Sequence, residues 1–447
     1  MDSPNSLGPP PPLTSRPPRF AICTLGCKLN QSDEEDLRHG LRTAGLQEVA
    51  FSDPADVYVV NTCTVTHLAD RRSRQMLRRA RRQSPAALVA AIGCYPAVNP
   101  AELEAMSEVD LVVGSLDKLM VVDDILGHFA WPNAAYDADD TFAQLGTRTR
   151  RMVKIQEGCR AHCTYCIIPQ ARGAPRNVPP EEVVRRVGAA VAQGYREVVL
   201  TGTHVGTYKW PDGDRVWRLA DLLEHVLAGT TIERLRVTSV GPHEIDARFI
   251  DILTQPRMAP HLHMALQSGS DSVLRRMQRW YNTRQFRRAV RQLREAVPGI
   301  GLTTDVIVGF PGETDGEFAE TCAFVEEMAF AKIHVFPFSP RRNTPAASMP
   351  DQVHPRVKER RSAELREISD RLQQAFVTQH VGAELSVLVE HRECVDPTGQ
   401  TFCSGLTPNY LRVYVQSSED LANRIVTVRG LAPHADGVLA SAPVDVH

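Results

Sequence analysis

The chain has 447 residues, room for about three domains, and its 43% hydrophobic content allows each a buried core, so a small disulfide-stapled scaffold is excluded. Fifty-one Lys and Arg against 53 Asp and Glu leave a formal net charge of −2, which excludes a uniformly basic nucleic-acid binder. The start, MDSPNSLGPPPPLTSRPP, has no basic n-region or apolar h-region, and no apolar run approaches the roughly 18 residues of a membrane span, so a cytoplasmic protein with no membrane partner is expected.

Residues 1–18 carry seven prolines and no apolar periodicity, and read as a disordered or polyproline-like tail. From Phe20 short apolar runs alternate with amphipathic stretches: FAICT, a helix over 31–43, VYVVN at 57–61, a helix over 67–83, ALVAAI at 87–92 and LVVG at 111–114. This β/α alternation predicts a doubly wound parallel-sheet domain over 19–145, ended by a polar stretch. The next region, 146–380, repeats strand-then-helix with strands at 152–156, 197–201, 235–239, 262–266, 303–308 and 332–336. Six such units predict an open β/α barrel, two strands short of a closed one. A charged helix over 355–380 then leads to ELSVLVE, YLRVYVQ and RIVTVRG, a pattern that predicts a small β-barrel over 381–447.

Ten cysteines in a reducing compartment point to ligation or catalysis rather than disulfides. Cys159, Cys163 and Cys166 form C-x3-C-x2-C just after the first barrel strand, at the end where barrel enzymes hold their sites. Three thiolates on a four-iron cluster leave one iron open to a small molecule. The alternative is zinc, which needs a fourth ligand such as His162, in a zinc-stabilised RNA-binding protein without catalysis. Cys27, Cys63 and Cys94 each follow a strand of the first domain, and parallel strand ends share one edge, so these distant thiols are expected to converge there.

The C-x3-C-x2-C motif resembles the signature of radical S-adenosylmethionine enzymes. Together with TLGCKLNQ, NTCTVT, GCY and the C-terminal β-domain, it is similar to the methylthiotransferase family from residue 20 onward. LHMALQSGSDSVLRRMQRWYN, DVIVGFPGETD and HVFPFSPRRNTPA are most similar to the subgroup that converts N6-threonylcarbamoyladenosine at position 37 of tRNA to its 2-methylthio derivative. The resemblance implies two 4Fe–4S clusters, one on Cys159, Cys163 and Cys166 and an auxiliary one on Cys27, Cys63 and Cys94. It also implies two S-adenosylmethionine molecules per turnover, as radical source and methyl donor, and a TRAM-type C-terminal domain. The implied partners are the tRNA anticodon loop, an electron donor such as flavodoxin or ferredoxin, and a sulfur donor. Within the family the alternatives are N6-isopentenyladenosine in tRNA or a ribosomal-protein aspartate. A radical suits the task because C2 of adenine has neither an acidic proton nor a leaving group.

Strand ends on the cluster side offer candidate cofactor-holding groups: Thr201 and Gly202, Gln267 and Ser268, and Asp305, Gly309 and Glu313. Candidate RNA contacts come from Arg71, Arg72, Arg74 and Arg78, within a run of seven arginines in 12 residues, and from Arg275, Arg276, Arg279, Trp280 and Tyr281. The run has no interleaved acids, so it asks for a counter-charge. The segment 383–447 departs from a basic RNA-binding domain, with four arginines, no lysine and eight acids.

Overall fold

A computed structural model describes residues 16–131, 149–395, 401–417 and 419–446. The tail through residue 15 and the expected boundary near 145 lie outside the described residues. Among the described residues no helix is long and apolar enough to cross a membrane.

Strands β1 (Arg19–Thr24), β2 (Gln47–Glu48), β3 (Val57–Thr62), β4 (Leu88–Gly93) and β5 (Leu111–Gly114) form a parallel sheet in the order β2-β1-β3-β4-β5. The central strands β3 and β4 are buried along their whole length, which is why they read as continuous rather than alternating apolar runs. Helix α1 (Lys28–Thr43) packs Leu37 and Leu41 on one face and α2 (His67–Gln83) packs Leu77 and Ala80 on the other. Thr66 starts α2 by accepting the Ala69 N–H at 3.1 Å.

The central unit contains six parallel strands: β6 (Arg150–Glu157), β7 (Glu197–Gly202), β8 (Arg234–Val237), β9 (His261–His263), β10 (Gly301–Val308) and β11 (Lys332–Pro337). They form two ladders, β8-β7-β6 and β9-β10-β11. Backbone bonds from Ala259 N–H to Leu235 O at 2.8 Å and from Val240 N–H to His263 O at 3.3 Å join them into an open barrel. Val198, Leu200, Leu235, Leu262, Val306 and Val308 join the core beneath the helices. The intervening residues, among them Glu197, Arg236, His263 and Asp305, alternate to the bore. The fourth strand stops earlier than its apolar run predicts, because the Thr304 hydroxyl interrupts the ladder, donating to Met264 O at 2.6 Å and accepting the Leu266 N–H at 3.0 Å, before a single bridge from Gln267 to Val306.

Helix α1 packs along β6. Ser32 Oγ donates to Met152 O at 3.2 Å and Arg151 pairs with Glu35 at 2.7 Å. After helix Pro355–Thr378 comes a closed five-stranded barrel of β12 (Glu384–Val395), β13 (Thr401–Leu406), β14 (Arg412–Gln416), β15 (Ile425–His434) and β16 (Gly437–Ala440). Its loop 407–411 plugs the N-terminal end of the central barrel. There Arg236 Nη1 donates to Pro408 O at 2.9 Å, Asn409 Nδ2 donates to Gly299 O at 3.0 Å, and Tyr410 stacks on His261 at 4.4 Å.

Candidate active site

Cys159 follows β6 through Gly158, whose φ is +78° and where a Cβ would lie 2.2 Å from Ala174 O, so the turn admits only glycine. Cys159 N–H donates to Gly173 O and Cys166 N–H to Cys163 O, both at 3.0 Å, which folds the motif back on itself. Burial, then the thiols of Cys163 and Cys159, pushes the Cys166 thiol up to about 12. Burial acts the same way on Cys159, but hydrogen bonds from His204 and the Ala161 N–H outweigh it and hold that thiol below its ordinary value. His204 is pushed up to about 9: burial opposes its charge, while Cys159 and Glu244, 3.2 Å away, favour it more. Arg279 Nη1 lies 3.1 Å from Cys163 Sγ, and its guanidinium packs 4.4 Å from the Trp280 ring centre and 4.7 Å from that of Tyr281.

The second triad converges at the edge the parallel topology predicts. Gly26, at φ +101°, brings the Cys27 loop so close to Cys63 that a Cβ would sit 2.8 Å from Cys63 Cβ. Asn30 Nδ2 ties the two loops by donating to Leu25 O at 2.7 Å and Thr62 O at 3.0 Å. The Cys63 thiol is pushed up to about 12 by burial, with Cys94 and Cys27 adding to it against the Val65 N–H. Arg172, 1% exposed, ends the short helix Ile168–Arg172 after the first triad and lies in the field of Cys27 and Cys94. It bonds Glu157 at 2.6 Å and Asn30. One arginine thus links the two thiol sites.

Among the described residues only His263, Asp305 and His334 bring three ligand atoms all within 4.8 Å of one another, and neither cysteine triad does. Zinc–sulfur bonds of about 2.3 Å require thiolates closer together than that. The flanking Arg172 and Arg279 would offset the charge of thiolates ligating a metal group. His162 is exposed. Three thiols in each triad suit a four-iron cluster with one open iron, whereas a structural zinc site takes four ligands.

The other predicted residues are placed as follows. Thr201 and Ser268 are buried, and Ser268 Oγ bonds Thr321 Oγ1 at 3.1 Å. Gly202 packs so tightly on β6 that a Cβ would lie 2.6 Å from Gln156 O. Gln267 N–H donates to Asp305 O at 2.8 Å. Glu313 accepts the Gly309 N–H at 2.6 Å and pairs with Arg361 at 2.8 Å, so it braces its loop. Asp305 lies mid-strand inside the bore, bonded to His263 Nε2 at 3.1 Å, rather than at the strand end. On α2, Arg71, Arg72 and Arg78 are exposed. Acids from later in the domain supply part of the counter-charge: Arg74 pairs with Glu102, Arg78 with Glu108 and Arg81 with Asp110. Arg275 and Trp280 are exposed, Arg276 pairs with Glu317 at 2.8 Å, and Tyr281 is buried with its hydroxyl donating to Leu266 O. Arg279 and Tyr281 thus lie against the cluster motif. Sequence reasoning assigned no role to His204 and did not single out Glu244, Arg172 or Lys28; only Lys28 carried a local signal, its position next to Cys27.

An open six-stranded barrel with a three-cysteine motif on its first βα loop defines a radical S-adenosylmethionine protein, and the radical SAM superfamily model matches residues 153–325. The model of the uncharacterized protein family UPF0004 matches residues 19–114. The chain is 38% identical over 426 residues to threonylcarbamoyladenosine tRNA methylthiotransferase MtaB of Bacillus subtilis, covering 92% of this chain and 93% of that one. It is 35% identical over 411 residues to tRNA-2-methylthio-N(6)-dimethylallyladenosine synthase of Sorangium cellulosum, covering 84% and 82%. The chain belongs to the radical S-adenosylmethionine tRNA methylthiotransferase family. A solved structure of the radical S-adenosylmethionine methyltransferase TsrM from Kitasatospora setae shares the fold, with TM-score 0.51 at 14% identity over 74% of this chain and 77% of that one.

Proposed function

We propose that this protein inserts a methylthio group at C2 of N6-threonylcarbamoyladenosine at position 37 of tRNA, in the cytoplasm. The observation that carries the reading is the pair of thiol triads, one after the first barrel strand and one at the strand edge of the first domain, with buried Arg172 between them. The relative from Bacillus subtilis, matched over nearly its whole length, favours the threonylcarbamoyl substrate. When bound, a cluster with S-adenosylmethionine supplies a carbon radical able to attack an unactivated C–H bond, and the auxiliary cluster supplies a site for sulfur.

The chain's own groups prepare both sites. Arg279 and His204, braced by Glu244, offset thiolate charge at Cys163 and Cys159, while Arg172 does so for Cys27 and Cys94. The closed C-terminal barrel stoppers the far end of the bore, so a nucleotide enters from the thiol side. Exposed Arg71, Arg72 and Arg275 with Trp280 are assigned to the RNA. Two S-adenosylmethionine molecules per turnover, an electron donor such as flavodoxin or ferredoxin, and a sulfur donor complete the requirement. The test is anaerobic reconstitution followed by nucleoside mass spectrometry of tRNA treated with the enzyme. About eight irons per chain and the 2-methylthio-threonylcarbamoyl nucleoside are expected, whereas stoichiometric zinc without product refutes the reading.

A further inference from the structure

Residues 338–346, FSPRRNTPA, follow β11 at the thiol end of the barrel and bond to both thiol loops. At one end Arg341, 4% exposed, reaches into the first domain. Its Nη2 donates to Asp70 Oδ2 at 2.6 Å and to Thr64 Oγ1 at 2.8 Å, and its Nη1 donates to His67 Nδ1 at 3.3 Å. Thr64 directly follows Cys63, and its hydroxyl donates to Asp70 Oδ1 at 2.6 Å. Ser339 Oγ accepts the His67 N–H at 3.2 Å, and Ser73 Oγ of α2 donates to Cys63 O at 3.2 Å. At the other end the Ala346 N–H donates to Thr164 O at 2.8 Å, and Thr164 directly follows Cys163. Between the two ends, Gln170 of the helix Ile168–Arg172 donates to Asn343 O at 2.8 Å, and the Thr344 hydroxyl closes the turn on Arg341 O at 2.7 Å. The loop therefore runs from the chain neighbour of Cys63 to the chain neighbour of Cys163.

Asp70 and Thr64 are buried together with Arg341. A buried ion pair adds little net stability, because desolvation offsets its attraction, but it favours one geometry. Here any slide of α2 along the barrel would part a rigid guanidinium fork from three acceptors at once. Sulfur insertion needs the substrate carbon to meet both thiol sites, whereas cleavage of S-adenosylmethionine needs only the barrel site. Reacting groups must approach within about 3–3.5 Å, and a misplacement of about 1 Å costs on the order of 100-fold in rate. We propose that loop 338–346 sets the separation of the two thiol sites, with Arg341 as a positioning residue that holds the Cys63 loop in register with the barrel, a role that rests on the two-site chemistry proposed above.

The test uses the reconstituted full chain with threonylcarbamoyl-modified tRNA and measures 5′-deoxyadenosine and the methylthio nucleoside in the same reaction. R341M is expected to lower the methylthio product about 10- to 100-fold while iron content and 5′-deoxyadenosine formation hold. D70N/R341M removes both charges, so neither is left buried alone, and it should shift the ratio in the same direction. R342M, at the exposed neighbouring arginine, should keep the wild-type ratio. Backbone hydrogen exchange over residues 64–73 should quicken in both Arg341 variants and not in R342M. A contact that merely stabilises the fold would lower both products together, so an equal loss of the two, or an unchanged ratio in both Arg341 variants, overturns the assignment while wild-type turnover leaves the two-site chemistry standing. Where R341M does not fold, D70N/R341M decides. A wild type that assembles its clusters yet makes no methylthio nucleoside overturns the two-site chemistry and the role of Arg341 with it.

Discussion

The contact between the first domain and the barrel turns on Asp33 of α1, 2% exposed and facing three cations. It pairs with Lys118 and with Lys154 at 2.8 Å, and lies 3.6 Å from Arg172. Burial raises the cost of its charge, but Lys118, Lys154 and Arg172 together hold its carboxyl at about 2, below the ordinary 3.8. Because the folded value is depressed, its contribution is present above about pH 4 and lost as pH falls toward 2. The difference corresponds to about 2.5 kcal/mol at neutral pH. Replacing Asp33 by Asn leaves Lys154 and Arg172 sharing Glu157 and buried Lys118 with no carboxylate within 4.0 Å among the described residues, which costs about 3–5 kcal/mol. Urea denaturation at pH 7 and pH 3, with hydrogen exchange of residues 28–43 and 150–157, measures both effects. D33N should lower the midpoint at pH 7 and flatten the acid limb, and D33N/K118M should recover part of the loss. Unchanged stability, or an acid limb as steep as that of the wild type, would refute the electrostatic account. Because α1 begins beside Cys27 and Arg172 spans both thiol sites, D33N should also release 5′-deoxyadenosine without matching sulfur insertion.

Replacing Cys159, Cys163 and Cys166 by Ala should abolish 5′-deoxyadenosine formation, whereas replacing Cys27, Cys63 and Cys94 should spare it and stop methylthio product; chromatography of both products distinguishes the sets. Arg279→Met removes a positive charge 3.1 Å from Cys163 Sγ, so the reconstituted cluster should be harder to reduce, a negative shift readable by potentiometric EPR. Replacing Arg71, Arg72, Arg79 and Arg82 by Ala should make the salt dependence of loop binding shallower by about 0.7 per lost phosphate contact, and an unchanged slope removes α2 from the interface. Tyr410→Ala removes the ring that Lys28, Arg150, Arg236 and His261 share, and should destabilise the chain by about 3–5 kcal/mol, checked by thermal melting of the holoenzyme.

The strand and helix pattern was legible because it depends on local periodicity. LVVG at 111–114 and the helix over 67–83 appear with the predicted bounds, and the apolar run at 87–92 forms the strand Leu88–Gly93, buried along its whole length. The triad of Cys159, Cys163 and Cys166 was legible from its spacing alone, and that of Cys27, Cys63 and Cys94 because parallel strands end on one edge, so a cysteine after each of three strands approaches the others. Aromatics and arginines carry no such rule. Tyr281 and Arg279 read as RNA contacts from their composition, but Tyr281 is 4% exposed and Arg279 faces Cys163.

What the sequence by itself determined was the β/α order, the triads and the family resemblance, because those follow from short-range spacing and strand polarity. Only the tertiary structure decided that the C-terminal loop stoppers the barrel, that Arg172 joins the thiol sites, and that Lys28 lies against the Tyr410 ring beside Arg150 and Arg236. Each of these sets charges from distant segments side by side. A residue's electrostatic role depends on which opposite charges the fold brings within a few ångströms, and that distance is not written in chain spacing.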